Sequence, residues 1–297
     1  MAALRSDRLM RWITILLAPL RLAVLLAHVL GGLGVAAAFF PLLSQPTRNR
    51  INRLWSHNLL RIAGLRLRVM GERIEAEVAS TGIAAWSSGR LLLANHISWI
   101  DIFSINAVVP TRFIAKAEIG RWPLVGLLVS LAGTLYVERG RRHAVHAMNQ
   151  KVAERLKQGE TIGVFPEGTT TDGSLLLPFH ANLVQPALDV GGEIRPVALR
   201  YTQRGAPTLA AAYVGDDSLV GSLWRIVTTP GLQVEVIWLP PLAAGAATRQ
   251  AAGQQARAAI AQALGLHAAD PAGDVSPSPH PAGTAAAAAS DPASASR

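Results

Sequence analysis

The chain has no cysteine. Disulfides, thiolate metal sites and a cysteine nucleophile are therefore excluded, although this absence says nothing firm about compartment. Charge is scarce too: Asp, Glu, Lys and Arg make up 16% of the 297 residues, half the sequence is hydrophobic, and mean hydropathy is +0.29. Such a chain is too apolar for an ordinary soluble enzyme and too mixed for a multi-span transporter, so membrane association is the first inference. Acidic residues are few, 19 against 28 Lys and Arg, giving a net charge of +9. No G-x-S-x-G pentapeptide occurs, which removes the usual serine-hydrolase elbow. No nucleic-acid motif accompanies the basic excess, so nucleic acid is not the expected partner.

The positive charge is concentrated at one end. Residues 1–75 hold eleven arginines and three acids, nearly the whole excess. A basic segment beside an apolar one reads as a contact with anionic lipid headgroups, worth about 1 kcal/mol per charge. The apolar partner is Leu22 to Leu43, 22 residues without a formal charge. As a helix it would be about 33 Å long, enough to span a bilayer. Its length and the arginines beyond it argue against a cleaved signal peptide. Arginines flank both ends, so the positive-inside rule sets no orientation. Two readings stay open: a single span, or a hairpin bent at Gly31, Gly32 and Gly34 with a second, interfacial helix from Arg48 to Ala63.

From about Leu65 the texture changes. Segments 65–72, 91–95, 111–117, 133–139, 161–168, 194–201 and 232–240 read as strands. Residues 144–160 repeat apolar side chains at three- and four-residue steps and read as a helix. Strands alternating with helices predict an α/β fold, a mixed and largely parallel sheet flanked by helices, behind the N-terminal membrane-anchoring helix or hairpin. The expected organisation is an anchor over 1–64, a catalytic domain over 65–265 and a disordered Ala/Pro/Ser-rich tail over 266–297. His267 and His280 in that tail read as solvated.

Four stretches carry chemistry. In LLLANHISWID (91–101) a buried strand runs into Asn95-His96, and Asp101 follows five residues later. Five helical steps leave two side chains about 140° apart, so His96 and Asp101 can meet only across a turn. Ser98-x-x-Asp101 has capping-box spacing and predicts a helix starting near Ser98 and continuing to Val109. In GVFPEGTTTDG (163–173) a strand ends at Phe165, Pro166 stops the ladder and Glu167-Gly168 turns. Backbone N–H groups and threonine hydroxyls at such a junction suit an anionic or polyhydroxyl group. In GTLYVERGRR (133–142) Arg139 leaves a strand beside Arg141 and Arg142, and Lys116 ends another strand. Taken singly, these are equally a helix cap, a β-turn and solvated surface charges. His96, Asp101 and Glu167 are too few ligands for a catalytic metal, and none is expected.

Taken in chain order, with Ile194-Arg195-Pro196-Val197 as the fourth, the four stretches resemble the four blocks of the glycerophospholipid acyltransferases, the family that includes 1-acylglycerol-3-phosphate acyltransferase. The resemblance covers about residues 70–215. It implies a membrane enzyme that moves a fatty acyl group from acyl-CoA or acyl-carrier protein, with no cofactor, to a lysophospholipid hydroxyl. His96 would be the general base and Asp101 its orienting partner. Backbone N–H groups near 165–168 would stabilise the oxyanion. Glu167, Gly168 and Thr169 would bind the acceptor's glycerol and phosphate, with Arg139 and Lys116 adding positive charge. The donor's location implies the cytoplasmic face of the inner membrane. One departure stands out: the family's third block usually reads F-P-E-G-T-R-S, and here Thr170 replaces the arginine. Lysophosphatidate is the first expected acceptor, and a phosphate-free lysolipid such as lyso-ornithine lipid the second.

Overall fold

A computed structural model describes residues 2–71, 89–121, 126, 133–137, 142–243 and 248–266. The expected tail, beyond Leu266, and Arg139 lie outside them. The strands, in chain order, are β1 (Arg66–Met70), β2 (Arg90–Ala94), β3 (Arg112–Lys116), β4 (Leu135–Val137), β5 (Thr161–Val164), β6 (Glu193–Gln203), β7 (Ala206–Pro207) and β8 (Leu232–Trp238). The helices are α1 (Ala2–Phe39), α2 (Gln45–Ala63), α3 (Asp101–Asn106), α4 (Arg142–Lys157), α5 (Gln185–Val190), α6 (Leu219–Thr228) and α7 (Arg249–Leu264).

The sheet runs β1-β8-β6-β2-β5-β3-β4, with β7 hairpinned onto β6. All neighbours are parallel except β6 with β8 and with β7. This is the mixed, largely parallel architecture expected. All five residues of β2 are buried, as a central strand covered on both faces requires. Alternation splits them: Leu92 and Ala94 join a core with α2, α3 and α6, and Leu91 and Leu93 join one with α4, α5 and α7. The parallel strands β2, β5 and β6 bring several chain crossovers to the C-terminal ends of the central strands, where sites in such folds are built.

At the N-terminus the structure corrects the expected bend. α1 continues unbroken through Gly31, Gly32 and Gly34, and the chain turns later, in a short 3-10 segment at Phe40–Leu42 followed by Ser44. The reason is the packing of Gly32. A Cβ there would lie 2.2 Å from the Trp55 indole nitrogen, so the glycine admits α2 against α1 and does not hinge. The Trp55 indole N–H donates to the His28 carbonyl at 3.2 Å, His28 Nε2 bonds the Trp55 carbonyl at 3.0 Å, and the two rings stack. Thr14, Ala18, Leu25 and Ala36 form the buried stripe of α1. Halfway along, Arg21 donates to the Val227 carbonyl of α6 at 3.0 Å. The opposite face, with Trp12, Leu16, Leu20 and Val24, is apolar and exposed.

Candidate active site

His96 follows β2 and occupies a turn between that strand and α3. Asn95 makes the turn possible. Its side-chain amide accepts from the Leu199 N–H at 2.7 Å and donates to the Leu199 carbonyl at 3.0 Å. The amide thus replaces one more rung of the β2–β6 ladder and releases the main chain from the sheet.

Asp101 is wholly buried, and its carboxylate accepts four hydrogen bonds. One oxygen, Oδ2, takes His96 Nδ1 at 2.9 Å and the N–H groups of Ile97 and Ser98 at 2.7 and 2.9 Å. The other, Oδ1, takes the Tyr201 hydroxyl at 2.6 Å. The predicted helix start is corrected by this geometry: α3 begins at Asp101, three residues later than Ser98, and ends at Asn106. The carboxylate reaches back to the 97 and 98 N–H groups, holding that stretch in a turn, and the Ser98 side chain caps no helix. Burial, then the Asp101 charge, pushes the Tyr201 phenol well above its usual range, so it remains a donor. Nothing local in the sequence marks Tyr201. It lies 100 residues away on β6, and only the crossing of β6 beside β2 brings it in.

An ionised carboxylate can only accept, so Nδ1 of His96 carries the proton and Nε2 is left as the basic nitrogen. The His96 side chain is 19% exposed. Its ring stacks on Phe165 at 3.9 Å between centroids, and Phe165 stacks on Phe113 at 5.3 Å. Beyond Phe113 lies a mostly apolar cavity of about 400 Å³ between α1, α2, α3 and β3, walled by His28, Gly32, Trp55 and Phe103.

The 165–171 loop, entered from β5, grips the main chain of His96. Glu167 Oε1 accepts the His96 N–H at 2.8 Å, and the Thr171 N–H donates to the His96 carbonyl at 2.8 Å. Glu167 Oε2 accepts the Leu177 N–H at 3.0 Å. The Glu167 side chain is therefore turned inward, with both oxygens engaged by backbone. Burial raises its pKa to about 7 against the lowering effect of those two N–H bonds, with the Asp101 charge raising it further.

Gly168 adopts φ +74°, and its N–H closes the turn on the Phe165 carbonyl at 3.0 Å. The oxyanion donors expected over 165–168 are thus fewer than supposed, since Pro166 has no N–H. Thr169 is exposed at the loop's tip, and the Thr170 hydroxyl donates to the Tyr213 carbonyl. Lys116 is the last residue of β3, at the same C-terminal end of the parallel strands as His96. Arg195, in the fourth stretch, donates to Glu193 at 2.7 Å from the opposite, N-terminal end of β6, away from the histidine. Among the described residues no cluster of three or more His, Cys, Asp or Glu could hold a metal.

Comparison with known proteins decides what this arrangement belongs to. A family model described as acyltransferase matches residues 66–200. A lyso-ornithine lipid O-acyltransferase of Pseudomonas aeruginosa is 36% identical over 259 residues, covering 84% of this chain and 95% of that protein. The chain belongs to the acyltransferase family. A 1-acyl-sn-glycerol-3-phosphate acyltransferase of Neisseria gonorrhoeae is 42% identical over 149 residues, half of this chain and 58% of that protein. In fold, the chain is similar to the 1-acyl-sn-glycerophosphate acyltransferase PlsC of Thermotoga maritima, with a TM-score of 0.60 and 19% identity over 89% of this chain and 97% of that one. Among the described residues the acyltransferase also has one helical stretch, Trp12–Leu42, formed by α1 and the 3-10 turn after it, long and apolar enough to cross a membrane by length and composition. With its lipid-acylating relatives, that helix marks it as membrane-associated.

Proposed function

We propose that the acyltransferase moves a fatty acyl group from a thioester donor, acyl-CoA or acyl-carrier protein, to the free hydroxyl of a lysolipid. The observation that carries this reading is the His96–Asp101 pair, with Nδ1 held and Nε2 left for a proton. His96 takes the proton of the acceptor hydroxyl as its oxygen attacks the thioester carbonyl, a general-base effect of about 10²–10⁴ in rate. Asp101 fixes the tautomer and stabilises the imidazolium as it forms. The carbonyl oxygen becomes an oxyanion, then the C–S bond breaks and His96 returns its proton to the leaving thiolate. No serine or cysteine nucleophile is needed, because the substrate's own hydroxyl fills that role.

The aromatic stack from His96 through Phe165 to Phe113 ends at the apolar cavity. That supports an acyl chain lying there with its carbonyl near the histidine.

For the acceptor, lysophosphatidate is the first reading. Lys116 and Arg139 are the cations proposed for its phosphate, with Gly168 and Thr169 lining the loop. A second reading, a phosphate-free lysolipid, is favoured by Thr170: its hydroxyl is committed to Tyr213, where a guanidinium would otherwise grip a phosphate dianion. The relative covering nearly the whole chain is named for lyso-ornithine lipid. Glu167 is proposed to act through the main chain of His96, without touching the acceptor. The flank of α1 bonded to α2 and α6 supports an interfacial anchor over an isolated span. The cytoplasmic face of the inner membrane is proposed for the catalytic domain on the ground of its thioester donor alone.

Transfer by the purified protein to lysophosphatidate and to lyso-ornithine lipid, with each donor, tests these readings. Loss in His96→Ala is expected, and activity that survives there overturns the mechanism.

A further inference from the structure

We propose that α6 and the 209–214 segment before it form a second membrane-docking surface, continuous with the outer face of α1, which lays the rim of the active site on the bilayer. The helix reads LVGSLWRIVT, with one charged residue. That residue, Arg225, is tied back to Asp217 at 2.7 and 2.9 Å and to the Ala212 carbonyl at 2.7 Å. Ser222, Ile226 and Val227 bury one side of α6. At the margin of that side Val220 is 78% exposed and Trp224, one turn later, 45% exposed. Leu209 is 63% exposed, and Val214 is exposed as well. The apolar arc of α6, from Ile226 through Leu219, Leu223 and Val227 to Val220 and Trp224, is thus wider than the part the protein covers, and the bare margin calls for a cover.

The bilayer is the occupant the surroundings favour. α6 lies directly on α1, joined through Arg21 and Val227, so its bare side continues the apolar face of a helix already read as the membrane anchor. At the junction is a cavity of about 650 Å³ whose wall mixes Ile15 and Trp224 with Arg204 and Arg225. Apolar side chains beside guanidinium groups match the headgroup layer, where tryptophan also settles. The patch is bonded to the catalytic turn as well. The Trp99 indole N–H donates to Ser222 Oγ at 3.1 Å, and the Tyr213 N–H donates to the Ile97 carbonyl at 2.9 Å. Docking of α6 therefore fixes the height of the 96–101 turn, so that an acceptor reaches His96 without leaving the lipid.

The absence of cysteine gives a clean test. The single thiol of Val220→Cys carries an environment-sensitive fluorophore, with a second variant, Gln158→Cys, labelled beyond α4 on the far face. The full-length protein is mixed with vesicles of phosphatidylethanolamine and phosphatidylglycerol containing a lipid-borne quencher. The expected result is a blue-shifted, quenched emission at 220 and none at 158. Protein bound to vesicles with an unquenched label at 220 overturns the proposal. So does a blue shift that follows protein concentration without lipid, which would mark a second copy as the cover.

A functional arm uses Val220→Ser and Trp224→Ser, each expected to weaken vesicle binding on the order of tenfold. Transfer to lysolipid in detergent micelles should stay unchanged, and vesicle binding that equals the parent's refutes docking. This arm rests on the lysolipid reading. A parent protein inactive on every lysolipid would overturn that reading, while the label at 220 would still decide the docking.

Discussion

Replacing Tyr201 with phenylalanine removes one oxygen and leaves the ring in place. The lost bond, 2.6 Å to a wholly buried carboxylate, is of the charge-assisted kind, and breaking it leaves Asp101 Oδ1 buried without that donor. The cost is about 1.5–3 kcal/mol. For a domain of this size that corresponds to a melting point lower by roughly 4–10 °C. The chemistry should change as well. With Oδ1 released, the carboxylate is less firmly aimed and its charge falls more heavily on His96. In Tyr201→Phe kcat should drop roughly tenfold with KM unchanged, because the aim of the base matters in the transition state and not in binding. Steady-state kinetics and a thermal melt in detergent measure both effects. A lower melting point with full kcat would reduce Tyr201 to a packing residue. A rise in KM alone would mean contact with the acceptor.

The raised pKa of Glu167, about 7 against an ordinary 4.5, makes a prediction about stability. Between those values the folded state binds the extra proton, so this group's contribution is fully present below about 4.5 and is lost as pH rises through 7, by on the order of 3 kcal/mol. Glu167→Gln should flatten that part of the stability–pH curve, and equal slopes in parent and variant would contradict the assignment. Gly32→Ala should destabilise by about 1–3 kcal/mol, because the new Cβ meets Trp55 at 2.2 Å. A melt showing the small gain that alanine brings to a free helix would mean that α1 and α2 do not pack this closely. Thr170→Arg should raise the kcat/KM ratio of lysophosphatidate to lyso-ornithine lipid roughly tenfold or more, the worth of a bidentate phosphate contact. An unchanged ratio would place the phosphate elsewhere.

Much of the fold was legible because its signals are local. Each long strand carried its own apolar run, and the helix expected over 144–160 lies over 142–157. Of the site, helix geometry established only that His96 and Asp101, if they meet, must do so across a turn; that they pair was implied by the family resemblance, and the 2.9 Å contact is what the structure adds. What escaped depends on partners distant in the chain. Gly31, Gly32 and Gly34 allowed a bend, one of two readings, because glycine is permissive, and nothing near them announces that Trp55 fills the space at Gly32. The late start of α3 depends on a carboxylate already engaged by two backbone N–H groups. Tyr201 was invisible because its role exists only once β6 lies beside β2. Glu167 read as a ligand for substrate because acidic residues in exposed turns usually face solvent, and here the loop folds it under.

The grip of the 165–171 loop on the main chain of His96 bears on how mutations in this protein should be interpreted. Two bonds, one to the N–H and one to the carbonyl of the same residue, make loop and base a single mechanical part. Damage to either registers at the other. An alanine scan that finds Glu167 or Thr171 indispensable would therefore not place either one against the substrate, since a displaced histidine gives the same loss. The informative experiment is a double variant with His96: losses that fail to add would report one shared function, and losses that add would report two.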